Sequence, residues 1–136
     1  MSSRDLYNNV KALGAISPQE IGSNGAVNGA IIDTAGFESL LFSIASGAVT
    51  DGAFTPSMTE GDESDLSDGT AVAAGDMLGT VAGATFADTD DNAVKKVGYR
   101  GNKRYVRLTL TAAGVTNGGF FAATAHLGHP RNAPVA

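Results

Sequence analysis

The chain of 136 residues contains no cysteine and no tryptophan, only two histidines and only four prolines. Without cysteine there are no disulfide staples, no cysteine–zinc sites and no thiol catalysis. Two histidines, His126 and His129, do not supply the four ligands of a structural zinc site, so no metal and no cofactor is expected. No apolar run is long enough for a membrane-spanning helix, and the first residues lack the apolar centre of a secretory signal. No membrane partner is expected. G-x-S-x-G, the phosphate-binding Walker loop and H-E-x-x-H are all missing, and with them the commonest signs of an enzyme.

The scarcest feature is positive charge over most of the length. Between residues 12 and 93 there is no lysine or arginine, while after Asn92 there is no acid. The net charge of −5 therefore hides an acid-rich part followed by a base-rich part, set to neutralise each other side by side or to face two neighbours. Overall acidity argues against a nucleic-acid partner.

What is abundant is glycine, 18 residues, spread among short alternating runs. Many short strands joined by Gly, Asp and Asn turns predict an all-β fold, a sandwich or a barrel. Residues 30–34 read as a strand. Residues 37–46 read as a central strand with Leu40, Phe42 and Ile44 on one face and Leu41 and Ala45 on the other. Residues 53–59 alternate weakly, and Pro56 marks an edge or a bulge. Residues 70–86 predict one or two short strands. Residues 120–127 predict a last strand with Phe121, Ala123, Ala125 and Leu127 on one face. Between these, 16–28 reads as extended chain plus turn, 112–119 as a flexible loop, and 60–69 and 87–92 as acidic turns. The acids of the second turn, Asp88, Asp90 and Asp91, suit a hard cation, but turn formation accounts for them more simply. At the start, residues 2–13 predict one short helix, with Ser2 and Asp5 as a capping box and Leu6, Val10 and Leu13 at helical spacing.

Residues 94–111 hold six of the nine basic side chains: Lys95, Lys96, Arg100, Lys103, Arg104 and Arg107. Two alternating runs flank Gly101-Asn102, a two-residue hairpin signal. Val106, Leu108 and Leu110 share one face. Lys103, Tyr105, Arg107, Thr109 and Thr111 share the other, which reads either as a solvated gatekeeper face or as a docking face for something acidic. Alternation puts Arg104 on the side of Val106, so a pairing with Asp33 or Glu38 is an open alternative for it.

Four segments carry a resemblance: Arg4-Asp5-Leu6-Tyr7-Asn8-Asn9-Val10-Lys11, the run of residues 32–40 (IDTAGFESL), the run 96–108 (KVGYRGNKRYVRL), and Gly128-His129-Pro130-Arg131 with Ala133-Pro134-Val135. With them the chain resembles small virion proteins of tailed bacteriophages and prophages, of the capsid cement or decoration type. The resemblance implies one jelly-roll-like antiparallel β-sandwich over residues 1–136, with an N-terminal helix or arm (1–14) and an extended C-terminal tail (128–136). It implies a homodimer or small homo-oligomer on the outer surface of an icosahedral head, with the major capsid protein as partner and no enzymatic role. On that reading Tyr99 and Tyr105 are the anchor candidates, ringed by Arg100, Lys103, Arg104 and Arg107, and the tail adds His129 and Arg131 to the interface. A head–tail or tail structural protein and a carbohydrate-binding virion surface module are the alternatives.

Overall fold

The computed structural model describes residues 6–131. Among these described residues, nine strands lie in two antiparallel sheets: β1 (Lys11–Ile21), β2 (Gly25–Asp33), β3 (Phe37–Val49), β4 (Ala53–Gly61), β5 (Thr70–Ala71), β6 (Met77–Leu78), β7 (Val94–Tyr99), β8 (Tyr105–Ala113) and β9 (Gly119–Pro130). The order is β1-β9-β3-β7-β6 in one sheet and β2-β8-β4-β5 in the other. Strands β1 to β4 alternate between the sheets, and β7, β8 and β9 return alongside them. That interleaving is the jelly roll, so the chain is an all-β jelly-roll-like sandwich.

The core follows from strand alternation. Leu40, Phe42 and Ile44 of β3 point inward and are at most 4% exposed. Phe121, Ala123, Ala125 and Leu127 of β9 meet them from the neighbouring strand. From the opposite sheet come Phe54, Met58, Val106, Leu108 and Leu110. Phe121 packs on Phe54 at 4.4 Å between centroids and edge-on to Phe86 at 5.2 Å, which joins the two sheets through one aromatic group. Outside the core, Leu41 is half-buried and Ala45 exposed. Pro56 of β4 lies beyond the two residues that β5 pairs, Thr59 and Glu60, so its missing N–H falls on an open edge as expected.

Several expectations are corrected. Among residues 6–13 there is no α-helix. A single 3₁₀ turn over Tyr7–Asn9 leads into β1, which holds Leu13. A helix that short is marginal alone, and pairing with β9 stabilises the extended form instead. The capping pair Ser2 and Asp5 lies outside the described residues. The stretch 16–28, read as extended chain plus turn, is the end of β1, a turn over 22–24 and the start of β2. The loop 112–119 is not free. Asp51 accepts hydrogen bonds from the backbone N–H groups of Thr116, Asn117 and Gly118 at 2.9–3.1 Å, and Val115 N–H donates to Asn24 Oδ1. The supposed tail is in the sheet up to Pro130, with Ser39 opposite Gly128 and Phe37 opposite Pro130. Residues 132–136 lie outside the described residues.

The largest correction concerns 94–111. β7 and β8 do not pair with each other. β7 joins β3 and β6, while β8 joins β2 and β4 in the other sheet. The segment 100–104 therefore crosses from sheet to sheet. Gly101 and Asn102 do not use the positive φ that a tight hairpin turn requires. Gly101 is there because the chain wraps the Tyr99 ring, and a Cβ at 101 would run into the Tyr99 hydroxyl.

Candidate functional site

Four of the basic side chains come to rest on acids from the first part of the chain. Arg104 forms a two-pronged bond to Asp33, 2.8 Å from Nε to Oδ1 and 2.9 Å from a terminal nitrogen to Oδ2. The same guanidinium lies 5.0 Å from the Tyr105 ring centre. Lys103 Nζ meets Asp62 at 3.0 Å, Arg131 Nε meets Glu38 at 2.8 Å, and Lys95 Nζ meets Asp90 at 3.3 Å while also donating to the Thr85 carbonyl. The bond from Arg104 holds the Asp33 carboxyl below its ordinary value, and Asp62 raises the Lys103 ammonium above its own. The acid-rich and base-rich parts read from the sequence thus meet in four ion pairs within one molecule.

Three of these contacts gather at one end of the sandwich. Thr34 N–H and its hydroxyl both donate to the Arg104 carbonyl, Arg131 N–H donates to the Gly36 carbonyl, and Ser39 hydrogen-bonds the His129 ring. Thr34, Glu38, Lys103, Arg104 and Arg131 line an open cleft of about 450 Å³ there. The runs 32–40, 96–108 and 128–131 are therefore one spatial unit. Jelly-roll wiring explains it, since the β2–β3 turn, the 100–104 crossing and the end of β9 all fall at the same end of the sheets.

The two tyrosines part company. Tyr99 is 5% exposed and belongs to the core. Its hydroxyl donates to Glu60 at 2.6 Å and accepts from Lys103 N–H at 3.0 Å. Burial first, and the Glu60 carboxylate second, push its pKa well above the usual tyrosine range. Tyr105 is half-buried on the outer face of the four-stranded sheet. Arg107 is two residues further along the same face, opposite Ile31 on β2 and Thr59 on β4. Arg100 turns away from this face and donates from Nε to the Gly75 carbonyl at 3.0 Å. So Tyr99 is an internal post, Lys103, Arg104, His129 and Arg131 are engaged within the molecule, and Tyr105 with Arg107 form a separate surface.

The acidic turns organise themselves. Asp68 accepts from the N–H groups of Asp62 and Glu63, Asp65 from Ser67, Asp90 from Ala87 and Asp91 from Val49. Among the described residues no group of three or more His, Asp or Glu side chains is placed to hold a metal ion. Asp51, which fastens the 114–118 loop, escaped the sequence reading. An isolated acid before glycine reads as an ordinary turn residue, and its partners lie 65 to 67 positions away.

No family model matches the chain, and no curated protein matches it in sequence. Among solved structures it is similar to PRD1 vertex protein P5, at 8% identity over 90% of this chain and 97% of that one, with a TM-score of 0.50. It is also similar to the SPBc2 prophage-derived protein YomS, at 14% identity over 88% and 92% with a TM-score of 0.47. A third is the xylan-binding module CBM15, at 10% identity over 92% and 99% with a TM-score of 0.46. At these identities the likeness is one of fold.

Proposed function

We propose that this protein is a non-enzymatic virion structural protein, a homodimer or small homo-oligomer that lies on the outside of an icosahedral phage head and stabilises contacts between major capsid protein subunits. One observation carries the reading. Three of the segments that resemble the cement and decoration proteins, far apart in sequence, meet around one cleft and are bonded to one another through Arg104–Asp33, Arg131–Glu38 and Ser39–His129. The resembling residues form a coherent structural unit rather than scattered matches.

Mechanically, such a protein adds binding free energy across seams between shell subunits. An exposed ion pair contributes only about 0–1 kcal/mol, and a specific patch of roughly 800 Å² per partner is effective only around a buried anchor. With most cations engaged in the molecule itself, the grip is narrower than a continuous cationic ribbon and centres on Tyr105 and Arg107. An oligomer that spans two shell subunits makes its second contact at high effective concentration, so individually weak patches suffice.

Copy number decides. Quantitative gel analysis of purified particles is expected to give a fixed, high ratio to the shell protein. A handful of copies per particle would point to the head–tail junction or the tail, and absence from particles would overturn the proposal.

A further inference from the structure

The outer face of the four-stranded sheet holds a cation that folding leaves unsatisfied. Arg100, Arg104 and Arg131 each place Nε–H on an acceptor: the Gly75 carbonyl, Asp33 and Glu38. Arg107 Nε is enclosed and has no hydrogen-bond partner among the described residues. A buried donor without an acceptor costs the full loss of its hydration, which is why such groups are rare in native structures and call for an explanation.

The described surroundings offer no remedy. Tyr105 and Thr109 flank Arg107 along β8, and Ile31 and Thr59 face it across the sheet. The Thr109 hydroxyl donates to Asn28 Oδ1 at 2.9 Å and makes no bond to Arg107 Nε. The acid in the adjacent row, Asp33 opposite Tyr105, is held by Arg104. Arg107 thus stands half-buried in a ring of neutral groups, partly stripped of water in advance.

We infer that this face is a docking surface for an acidic protein partner, in which Arg107 receives a carboxylate of an Asp or Glu side chain. The inference rests on the reading of the protein as a docking module, but not on where in a particle it sits. A guanidinium matches a carboxylate with two parallel bonds, and one that is already partly dehydrated loses little more on binding. Ser57 and Thr59 on β4 add hydroxyls at the rim. A nucleic acid is the poorer occupant. Its affinity comes from neutralising many phosphates, and this face offers one unpaired guanidinium on a chain of net charge −5. A second copy seated by the same face is also disfavoured, because Asp33, the acid next to Arg107 on this face, is already held by Arg104.

The test uses the full chain in solution, so it is independent of particle occupancy. Nitrogen-15 spectra would follow the arginine Nε–H signals while hexaglutamate is added, and then a thymidylate hexamer. The expected result is a saturable shift of the Arg107 Nε–H signal and of the amides of Tyr105, Ile31 and Thr59, with little response to the thymidylate. Arg107→Gln should weaken hexaglutamate binding about tenfold or more. Arg107→Met should unfold at the same urea concentration as the wild type or higher, since no internal bond is lost. No saturable shift, an equal or stronger response to the thymidylate, or a clear loss of stability in Arg107→Met would each overturn the inference.

Discussion

Replacing Tyr99 with phenylalanine removes one oxygen atom and tests how the two sheets are locked at the crossing. The ring stays and still fills the 100–103 wrap. The hydroxyl takes with it a 2.6 Å bond to the Glu60 carboxylate and a 3.0 Å bond from Lys103 N–H. Tyr99 belongs to the five-stranded sheet and Glu60 to the four-stranded one, so the lost bond spans the sandwich. A hydrogen bond to a charged acceptor contributes about 1.5–3 kcal/mol, and an N–H left without a partner adds to the loss. We expect Tyr99→Phe to cost about 2–3 kcal/mol. For a protein of this size, with a urea dependence of roughly 2 kcal/mol per M, the unfolding midpoint should fall by about 1–1.5 M. Tyr105→Phe, on the surface, is the control and should stay within about 0.5 kcal/mol of wild type. In a double-mutant cycle, Glu60→Gln should cost little more once the hydroxyl is gone. If the Tyr99→Phe midpoint moves by less than about 0.2 M, the bond across the sheets is not a determinant of stability and the reasoning fails.

The same hydroxyl sets an alkaline limit. Its pKa is raised in the folded state above the ordinary 10.0, so the unfolded chain ionises first. The stabilisation is fully present below pH 10 and is lost as pH climbs above it; the gap between wild type and Tyr99→Phe should narrow there, as urea titrations at several pH values would show. Asp51→Ala should expose the amides of Thr116, Asn117 and Gly118 to rapid hydrogen exchange while leaving the core protected. Those amides hold the Asp51 carboxyl below the ordinary 3.8, with Gly118 the largest contributor. Its contribution is therefore present above pH 3.8 and lost as pH falls through the folded-state value, so wild-type loop protection should fade on strong acidification. Gly29→Ala would put a Cβ 2.6 Å from the Ala15 carbonyl and 2.8 Å from the Leu108 carbonyl, both backbone. It should cost about 1–3 kcal/mol or more in thermal unfolding. Gly14→Ala, with open space around it, should be tolerated.

Much of the sandwich is visible in the one-dimensional pattern. Leu40-x-Phe42-x-Ile44 and Phe121-x-Ala123-x-Ala125-x-Leu127 each announce a buried face, and both are buried. Pro56 announces an open edge. The errors have a common source. Gly101-Asn102 between two alternating runs is a good local hairpin signal, yet β7 and β8 belong to different sheets. Strand β7 finds better partners in β3 and Met77–Leu78 than in the strand that follows it. Leu6, Val10 and Leu13 fit a helix as well as they fit a turn and a strand, and only the free edge of β9 breaks the tie. The candidate surface shows the same division. Tyr99 and Tyr105 look alike in sequence, but one ends inside the aromatic-and-aliphatic core and the other outside it.

By itself the order of residues determined the class of fold, the inward faces of β3, β8 and β9, and the separation of acid from base along the chain. Alternation and turn chemistry act between neighbours, so they can be read without knowing where the chain goes. Only the tertiary structure decided which strands share a sheet and which charges are already engaged. Arg104 meets Asp33 across 71 positions and Arg131 meets Glu38 across 93, while Arg107 Nε finds no partner among the described residues. An ion pair or a sheet ladder forms between groups brought together by the whole fold, and no local pattern encodes that distance.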